Sequence, residues 1–194
     1  MALTGGAVPA ELEDVELAGC RLVGVAFTGA VLRRVTLVDC VLDDCELSGS
    51  TWEEVTFRRV RLDRCRMSGF TAPELRAEHL AVHDSKLDGA WLRMGTLDHC
   101  TFDGCDLRGS DLYAARITSS RLVRCTLDGA ELSAATVTDV AAHGSTVDGV
   151  TGRPALQRVT ISPDQIVDFA LPVLGAVGIT VSEEPDEGGR GRTS

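Results

Sequence analysis

Residues 97–117 read LDHCTFDGCDLRGSDLYAARI, and this stretch has a large apolar residue at every fifth position. A smaller residue precedes each of them by two positions, and the large residues are Leu97, Phe102, Leu107, Leu112 and Ile117. A spacing of five matches neither the 3.6-residue period of a helix nor the two-residue period of a strand. It therefore indicates a repeated structural unit of five residues.

The same spacing extends outward from this stretch over most of the chain. It runs without a slip from Leu12 to Met67, resumes at Val82 and fades at Val147. In extended backbone, residues two apart point to the same side, so the small and large residues of each unit face inward together. The other three positions are polar, Gly or small, which suits a short extended piece with a turn after it. One unit cannot bury its apolar pair alone, whereas stacked coils bury a continuous core.

A second period gives the number of units in one coil. In every fourth unit, the residue two positions after the large apolar one is Gly, at Gly29, Gly49, Gly69, Gly89, Gly109, Gly129 and Gly149. Gly suits a turn that needs a positive φ at its third position. A turn that recurs every 20 residues indicates four units per coil. The sequence therefore predicts a four-sided rod of about seven coils.

The cysteines obey the same geometry, because all seven occupy the small inward position of a unit. By the 20-residue count they form two columns. One column contains Cys20, Cys40 and Cys100, and the other contains Cys45, Cys65, Cys105 and Cys125. Cys packs as a small buried residue, so we expect ladders of thiols in the core. Neighbouring coils lie about 4.8 Å apart, within reach of a disulfide. An odd count without a signal peptide nevertheless favours reduced thiols and a cytoplasmic location.

The units resemble those of the pentapeptide-repeat family, whose pattern is A(D/N)LxX with the first and third residues inside. The units that match it best are Cys105-Asp106-Leu107-Arg108-Gly109, Ser110-Asp111-Leu112 and Ala130-Glu131-Leu132. The resemblance covers about residues 10 to 151. It implies an all-β solenoid, a right-handed quadrilateral β-helix, which agrees with the four-unit coil.

The sizes of the inward residues invert in the middle of the chain. Large residues stand at the small positions and alanines at the large ones, at Phe70, Leu75 and Leu80 and at Ala72 and Ala77. The summed volume is roughly kept, so the core still fills. Pro73 lacks an amide donor and restricts the residue before it, which predicts a kink or an irregular coil over residues 71–79. Two interpretations of this irregular coil stay open: it bends the rod, or it forms a bulge that contacts a partner.

The chain divides into four predicted segments. Residues 1–9 form a lead-in without the repeat, and residues 10–151 form the β-helix. Residues 152–181 form a C-terminal helical cap and dimerisation segment, and residues 182–194 form a disordered acidic tail.

The cap carries its own helix signals. Ser162-Pro163-Asp164-Gln165 is a capping box with Pro at the first helical position. The next apolar residues share one helix face: Ile166, Phe169, Ala170 and Val173. We expect Pro172 to kink or end this helix. Gly175 or Gly178 should end any helical turns beyond Pro172, and residues 179–181 should form a short strand.

The cap closes the apolar end of the solenoid, which would otherwise be open to aggregation. The segment also resembles the C-terminal helix of the fluoroquinolone-resistance branch of the family, whose members dimerise end to end. Its apolar residues exceed what one coil needs, which favours an isologous homodimer. The candidate interface residues are Ile166, Phe169, Leu171, Leu174 and Val177.

Composition and motifs argue against several classes of function. The formal net charge is −10, and direct nucleic-acid binding needs clustered Lys and Arg. No run of 18 apolar residues predicts a membrane span. No phosphate loop, zinc motif or nucleophile elbow is present, so we expect no enzyme, no metal and no cofactor. His79 and His99 share one outward column and His83 and His143 another; a stacked pair can bind a metal, but surface residues are the commoner case.

Two functions stay open, and the first comes from the resemblance. It implies an acidic rod of DNA-like width that occupies the DNA-binding saddle of gyrase, a type II topoisomerase, and protects it from inhibitors. Seven coils at about 4.8 Å give about 34 Å, and an end-to-end dimer would match about 20 base pairs. The candidate partner-facing carboxylates are Asp43, Asp44, Asp63, Asp84 and Asp103 on one face and Asp88, Asp128 and Asp148 on the adjacent face.

The alternative is a structural or interaction scaffold without topoisomerase activity. Glu13-Asp14, Arg33-Arg34 and Glu53-Glu54 stack on one face in successive coils, so opposite charges neutralise one another. One coil is also basic on three sides, through Arg58, Arg59, Arg61, Arg64 and Arg66. A DNA mimic would keep a continuous negative potential there.

Overall fold

A computed structural model describes residues 2–179 as a parallel β-solenoid of about eight turns, closed by a short C-terminal helix. Strands between residues 11 and 141 pair with segments 20 residues further on, as in the pairing of Leu12 with Leu32 and of Leu32 with Trp52. The solenoid is about one turn longer than the sequence predicted, because the repeat-free ends join the ladder. Ala2–Thr4 pairs with Arg21–Val23, and Val159–Thr160 extends the last coil.

Most strands are short because each side of the coil is only five residues long, and the longer ones run across a corner from one side to the next. They are β1 (Ala2–Thr4), β2 (Glu11–Ala18), β3 (Arg21–Val23), β4 (Val31–Val38), β5 (Val41–Asp43), β6 (Thr51–Glu53), β7 (Thr56–Arg58), β8 (Arg61–Asp63), β9 (Arg76–Glu78), β10 (Ala81–His83), β11 (Thr96–Asp98), β12 (Thr101–Asp103), β13 (Arg116–Val123), β14 (Thr136–Ala141) and β15 (Val159–Thr160). The helical elements are the 3₁₀ segments Arg153–Arg158 and Pro163–Gln165 and helix α1 (Ile166–Ala176).

The rod has four lateral faces, which we number by the units of the first full coil. In this coil, face 1 comprises residues 10–14, face 2 residues 15–19, face 3 residues 20–24 and face 4 residues 25–29. Each face also includes the units that follow at intervals of 20 residues. The first and third residues of each unit are inside, and nearly all of them are buried from Leu22 onward. Isolated bridges continue the ladder on face 4 and on the later units of face 1.

Every corner of the rod needs a left-handed residue. The fifth residue of each unit has a positive φ, from Asp14 to Gly149, and many of these residues are not Gly. The Gly column lies on face 4, where an additional bond closes the turn, as when the Ala90 amide donates to the Leu87 carbonyl at 3.0 Å. The same bond closes later turns of face 1, as from the Ala115 amide to the Leu112 carbonyl at 3.0 Å, with a residue other than Gly at the corner. The sequence therefore located the Gly turns correctly but missed that the other three corners also use this conformation.

The ladder continues through Pro73, where the sequence predicted a kink or an irregular coil. Thr71 still pairs with Thr51 and with Trp91, and Arg76 still pairs with Thr56. Pro73 stands in a turn that leads into Glu74, whose φ is 55°, and a turn tolerates the fixed φ of Pro. The predicted irregularity is thus only a change from strand to turn on face 1.

The inverted sizes around this point fill the core, as the sequence predicted. Phe70, Leu75 and Leu80 are buried at small positions, opposite the buried alanines. Phe70 packs edge-on to Trp52, with ring centroids 5.7 Å apart, and Phe27 and Phe57 contact the same indole. Compensating volumes therefore keep the packing continuous.

The C-terminal cap begins with the predicted capping box. The Ser162 amide donates to Gln165 Oε1 at 2.9 Å, and Gln165 Nε2 donates to the carbonyls of Ala142 and Ser145 at 2.8 and 2.7 Å. Gln165 is buried, so it fastens the helix to the last coil of the solenoid. Phe169 is also buried and joins the solenoid core.

Helix α1 does not end at Pro172, where the sequence predicted a kink or an end of the helix. The helix continues to Ala176, and the Val177 amide closes its last turn by donating to the Val173 carbonyl at 3.3 Å. The anchors at Gln165 and Phe169 hold the turns before the proline, which offsets the missing amide donor. Ile179 is not in a strand; the rest of the predicted strand at 179–181 and the predicted tail at 182–194 lie outside the described residues.

The corner conformation can be tested with two opposite substitutions. Gly89→Ala should lower the free energy of unfolding by about 1 kcal/mol, because Ala is strained at positive φ. An added Cβ at Gly89 would meet no atom within 4 Å, so this change reports only on the backbone. Ala134→Gly, at φ 58°, should raise the free energy by up to about 1 kcal/mol. Urea unfolding measures both, and equal signs for the two variants would contradict the corner requirement.

Candidate protein-binding surfaces

The eight carboxylates predicted to face a partner all lie on the outside of two adjacent faces. Five belong to face 3 and three to face 4, but they differ in what surrounds them. Asp43 and Asp63 are largely buried by neighbouring side chains, whereas Asp44, Asp84 and Asp148 are exposed.

The N-terminal half of face 3 is a network of ion pairs. Arg21 Nη2 donates to Asp43 at 2.8 Å, Arg64 also bonds to Asp43, and Arg64 Nε lies 3.3 Å from Asp44. Further along, Arg124 Nη2 lies 2.5 Å from Asp103. Face 3 carries as many basic as acidic residues, so these charges are balanced within the face.

Asp63 is the most enclosed member of this network. Arg61 Nε donates to it at 2.8 Å, and His83 Nδ1 lies 3.1 Å from it. Burial acts to raise the pKa of Asp63, but the bonds from Arg61 and His83 outweigh it and lower the pKa below its ordinary value. The carboxylate therefore stabilises the folded chain.

Four of the predicted carboxylates form no ion pair within residues 2–179: Asp84, Asp88, Asp128 and Asp148. Ser68 Oγ donates to Asp88 at 2.6 Å, and the Asp148 amide donates to Asp128 at 3.0 Å. They flank face 4, with Asp84 at its corner with face 3 and Asp88, Asp128 and Asp148 next to its corner with face 1. Arg108 stands between Asp88 and Asp128 in the same column, but it is bonded to Asp106 at 2.5 Å.

The arginine-rich coil is also paired with acids of its neighbours. Arg59 donates to Asp39 at 2.6 Å, and Arg66 lies 3.7 Å from Glu46. On face 1, Arg34 similarly bonds to Asp14 at 2.6 Å. The stacked opposite charges that the sequence predicted are therefore ion pairs between coils, although exposed pairs of this kind contribute little stability each.

Comparison with family models identifies the repeat directly. The model "Pentapeptide repeats (8 copies)" matches residues 10–49, and the model "Pentapeptide repeat region" matches residues 55–132. Together these matches cover more than half of the chain. The chain belongs to the pentapeptide-repeat family. Members of this family are right-handed quadrilateral β-helices, and the fold described above is of this type.

Solved structures of other pentapeptide-repeat proteins resemble this one over most of its length. A trypsin-treated variant of QnrB1, a plasmid-mediated fluoroquinolone resistance protein, is 16% identical, with 94% of this chain and 99% of that chain covered and a TM-score of 0.45. HetL, involved in heterocyst differentiation regulation in the cyanobacterium Nostoc sp. strain PCC 7120, is 17% identical, with coverages of 82% and 86% and a TM-score of 0.34. No curated protein matches the chain.

The end of this pentapeptide-repeat protein exposes an apolar surface. Ile166, Leu171 and Val177 are more than half exposed, and so is Val167, which the sequence prediction did not include. Leu174 is half-buried, whereas Phe169 is 3% exposed and faces the solenoid. Of the five candidate interface residues, Phe169 thus lies on the inner side of α1.

Metal-ligating residue types are present but do not converge. Within residues 2–179, no group of three or more His, Cys, Asp or Glu side chains is placed to hold a metal ion. The ring centroids of His79 and His99 lie 5.1 Å apart with the ring planes tilted by 47°, and His143 bonds to Ser162. All seven cysteines are free thiols, and burial raises the pKa of Cys100 to about 11. Among the described residues, no helix is both long enough and apolar enough to span a bilayer.

One cluster on face 1 was missed by the sequence prediction. Trp91, Met94 and Tyr113 are exposed in adjacent coils, and Arg93 lies against both aromatic rings. A signal for it exists in the sequence: Trp91 and Tyr113 stand at outward positions, where the repeat otherwise has polar or small residues.

The Asp63 network predicts a specific pH dependence of stability. A carboxyl with a lowered folded pKa stabilises the protein above its unfolded pKa, near 3.9, and this stability is lost as the pH falls through the folded pKa. Asp63→Asn should therefore lower the free energy of unfolding at pH 7 by about 1–2 kcal/mol, and the difference from the native chain should close as the pH falls through the folded pKa of Asp63.

Urea unfolding at several pH values checks this. Asp139→Asn, at an exposed position on face 2, is the matched control and should change the free energy by less than about 0.5 kcal/mol. A difference between Asp63→Asn and the native chain that persists undiminished at low pH would contradict the network.

Proposed function

We propose that this pentapeptide-repeat protein is a non-catalytic binding rod that presents carboxylates to the cationic DNA-binding surface of a type II topoisomerase. The observation that carries this proposal is the set of carboxylates without ion pairs on one side of the rod: Asp84, Asp88, Asp128 and Asp148. A carboxylate that is not neutralised by an internal ion pair remains available to the Lys and Arg side chains of another protein. This stripe of carboxylates is named the acidic stripe below.

The dimensions of the rod support the same partner. About eight turns at about 4.8 Å give a length of about 38 Å, which corresponds to about 11 base pairs of DNA. An end-to-end dimer would double this length. The DNA-binding surface of a topoisomerase is built for a rod of negative charge, and the acidic stripe offers that charge without nucleic acid.

The dimer forms through the outer side of α1. Val167 is 79% exposed, Ile166 61% and Leu171 60%, which places three large apolar side chains together in water. Exposed apolar patches of this kind mark interfaces. A second copy related by a two-fold axis would cover the patch with the same patch.

A scaffold of unassigned role is the second candidate, and the ion pairs of face 3 favour it. The charges of Asp43, Asp44, Asp63 and Asp103 are neutralised by arginines of the same face. A rod whose charges stabilise itself suits a purely structural role. The two candidates differ in whether the acidic stripe has a partner.

A gyrase supercoiling assay, with and without a fluoroquinolone, tests the topoisomerase proposal. The purified protein should inhibit supercoiling or relieve drug-induced DNA cleavage. Asp128→Asn with Asp148→Asn should weaken the effect about fivefold, because two charges at the contact are lost. Arg108→Gln should strengthen it, because it removes the one basic residue from this column.

Asp139→Asn is the matched control, since it removes an exposed carboxylate from face 2. It should leave the effect on gyrase unchanged. If the protein has no effect on gyrase at tens of micromolar, or if the control and the stripe variants lose the effect equally, the acidic stripe is excluded as a topoisomerase-binding surface. The scaffold would then be the remaining candidate.

The dimer is tested by a charge on the outer side of α1. Leu171→Asp should give a monomer by light scattering, because a carboxylate cannot be buried unpaired between two apolar surfaces. Phe169→Asp is unsuitable, since Phe169 belongs to the solenoid core. Leu3→Asp places the same change on an exposed apolar residue near the other end of the chain and should leave the dimer intact. A native chain that is monomeric, or a Leu171→Asp variant that is dimeric, would contradict this interface.

A further inference from the structure

Face 1 carries the only large apolar side chains that are exposed on the lateral faces between residues 10 and 150. Trp91 is 47% exposed, Met94 51% and Tyr113 42%. Trp91 and Met94 belong to one unit of face 1, and Tyr113 belongs to the unit directly above it. These three side chains form a continuous patch, which is named the aromatic patch below.

An ionic network holds the aromatic patch in place. The Cζ atom of Arg93 lies 4.9 Å from the ring centroid of Trp91 and 5.5 Å from that of Tyr113. Asp111 accepts hydrogen bonds from Trp91 Nε1 and Arg93 Nε, both at 2.7 Å, and from the Tyr113 amide at 3.0 Å. The rings are therefore fixed before any partner binds, which reduces the entropy lost on binding.

The repeat itself does not require aromatic residues at these positions. The column that contains Trp91 holds Thr51 and Thr71 in the two preceding coils, and the residue above Tyr113 is Ser133. Polar residues thus satisfy the same backbone environment. Trp, Tyr and Arg are the residue types that dominate binding energy in protein interfaces.

Carboxylates surround the aromatic patch on the same face. From residue 50 to residue 134, face 1 has five acidic residues and one basic residue, which is Arg93. Glu54 and Glu74 stand in the same corner column as Met94, two coils and one coil before it. Together with Glu53, Pro73 and Arg76 they line a surface groove in the coils before the patch. Arg33 Nε already donates to Glu53 at 3.0 Å, so Glu54 and Glu74 are the carboxylates that a partner would meet.

We infer that face 1 is a docking site for an extended, basic segment of a protein partner, with an apolar residue on the aromatic patch and arginine or lysine side chains at Glu54 and Glu74. The carboxylates at Glu54 and Glu74 favour a cationic partner, and the exposed rings favour an apolar anchor beside the cations. Coils about 4.8 Å apart place Glu74 about 5 Å and Glu54 about 10 Å from Met94. An extended chain spans these distances in two to three residues.

This site is separate from the acidic stripe. The aromatic patch lies on face 1, whereas the acidic stripe flanks the neighbouring face 4. Binding of a basic segment to face 1 therefore does not depend on binding of the acidic stripe to a topoisomerase.

Fluorescence anisotropy with a labelled probe peptide, Gly-Ser-Leu-Leu-Arg-Arg-Arg-Ser-Gly, tests the docking site at physiological ionic strength. The native protein should bind it, and two control peptides should bind at least tenfold more weakly. One control replaces both leucines by serine, and the other replaces the three arginines by glutamate. Equal binding of either control peptide would overturn the proposal.

Variants of the protein locate the site. Trp91→Thr with Tyr113→Ser introduces residues that the same columns already use and should weaken binding at least tenfold. Glu54→Gln with Glu74→Gln leaves the rings in place and should weaken it about fivefold. The matched control, Asp128→Asn with Asp148→Asn, removes two charges from the acidic stripe and should change the affinity less than about twofold. Unchanged binding by either face 1 variant, or an equal loss in the control, would overturn the proposal.

Discussion

The hydrogen-bond ladder between residues 20 apart is the constraint on which the whole structure depends. The Thr71 amide donates to the Ser50 carbonyl at 2.9 Å, the Trp91 amide donates to the Phe70 carbonyl at 2.7 Å, and the same pattern continues from coil to coil. Every side chain therefore lies over the one 20 positions earlier. Inward columns must pack against themselves, which restricts them to apolar and small residues. Outward columns carry no such restriction, so function must be sought there.

The same ladder explains why so much surface charge is neutralised within the rod. Arg34 over Asp14, Arg59 over Asp39 and Arg64 over Asp44 are all 20 residues apart, so each guanidinium starts about one coil spacing from its carboxylate. Each exposed pair contributes little stability, but it removes a charge from the field seen by a partner. Net charge alone is therefore a poor guide to the binding surface, and unpaired carboxylates are a better one.

The sequence predicted the coil, its four sides and its inward residues, because a repeat is specified by local periodicity alone. It failed where a tertiary contact outweighed a local rule. Pro73 is accommodated by a turn, and helix α1 passes Pro172 because Gln165 and Phe169 anchor it to the last coil. Phe169 was predicted at an interface, since periodicity cannot tell the side that faces the solenoid from the side that faces away.

The positions of the surface charges also came from the count of 20, but only some of their partners did. Arg61 bonds to Asp63 and Arg108 to Asp106 within single units rather than across coils.

The number of charges on the rod decides how closely it can imitate DNA. DNA carries about 20 charges over 34 Å, whereas residues 11–150 have 23 acidic and 15 basic residues. The rod as a whole therefore carries much less negative charge than DNA of the same length. A partner must be bound by local groups of side chains, because few residues carry the binding energy in most protein interfaces. The acidic stripe and the aromatic patch are two such groups, and the ladder holds each at a fixed spacing.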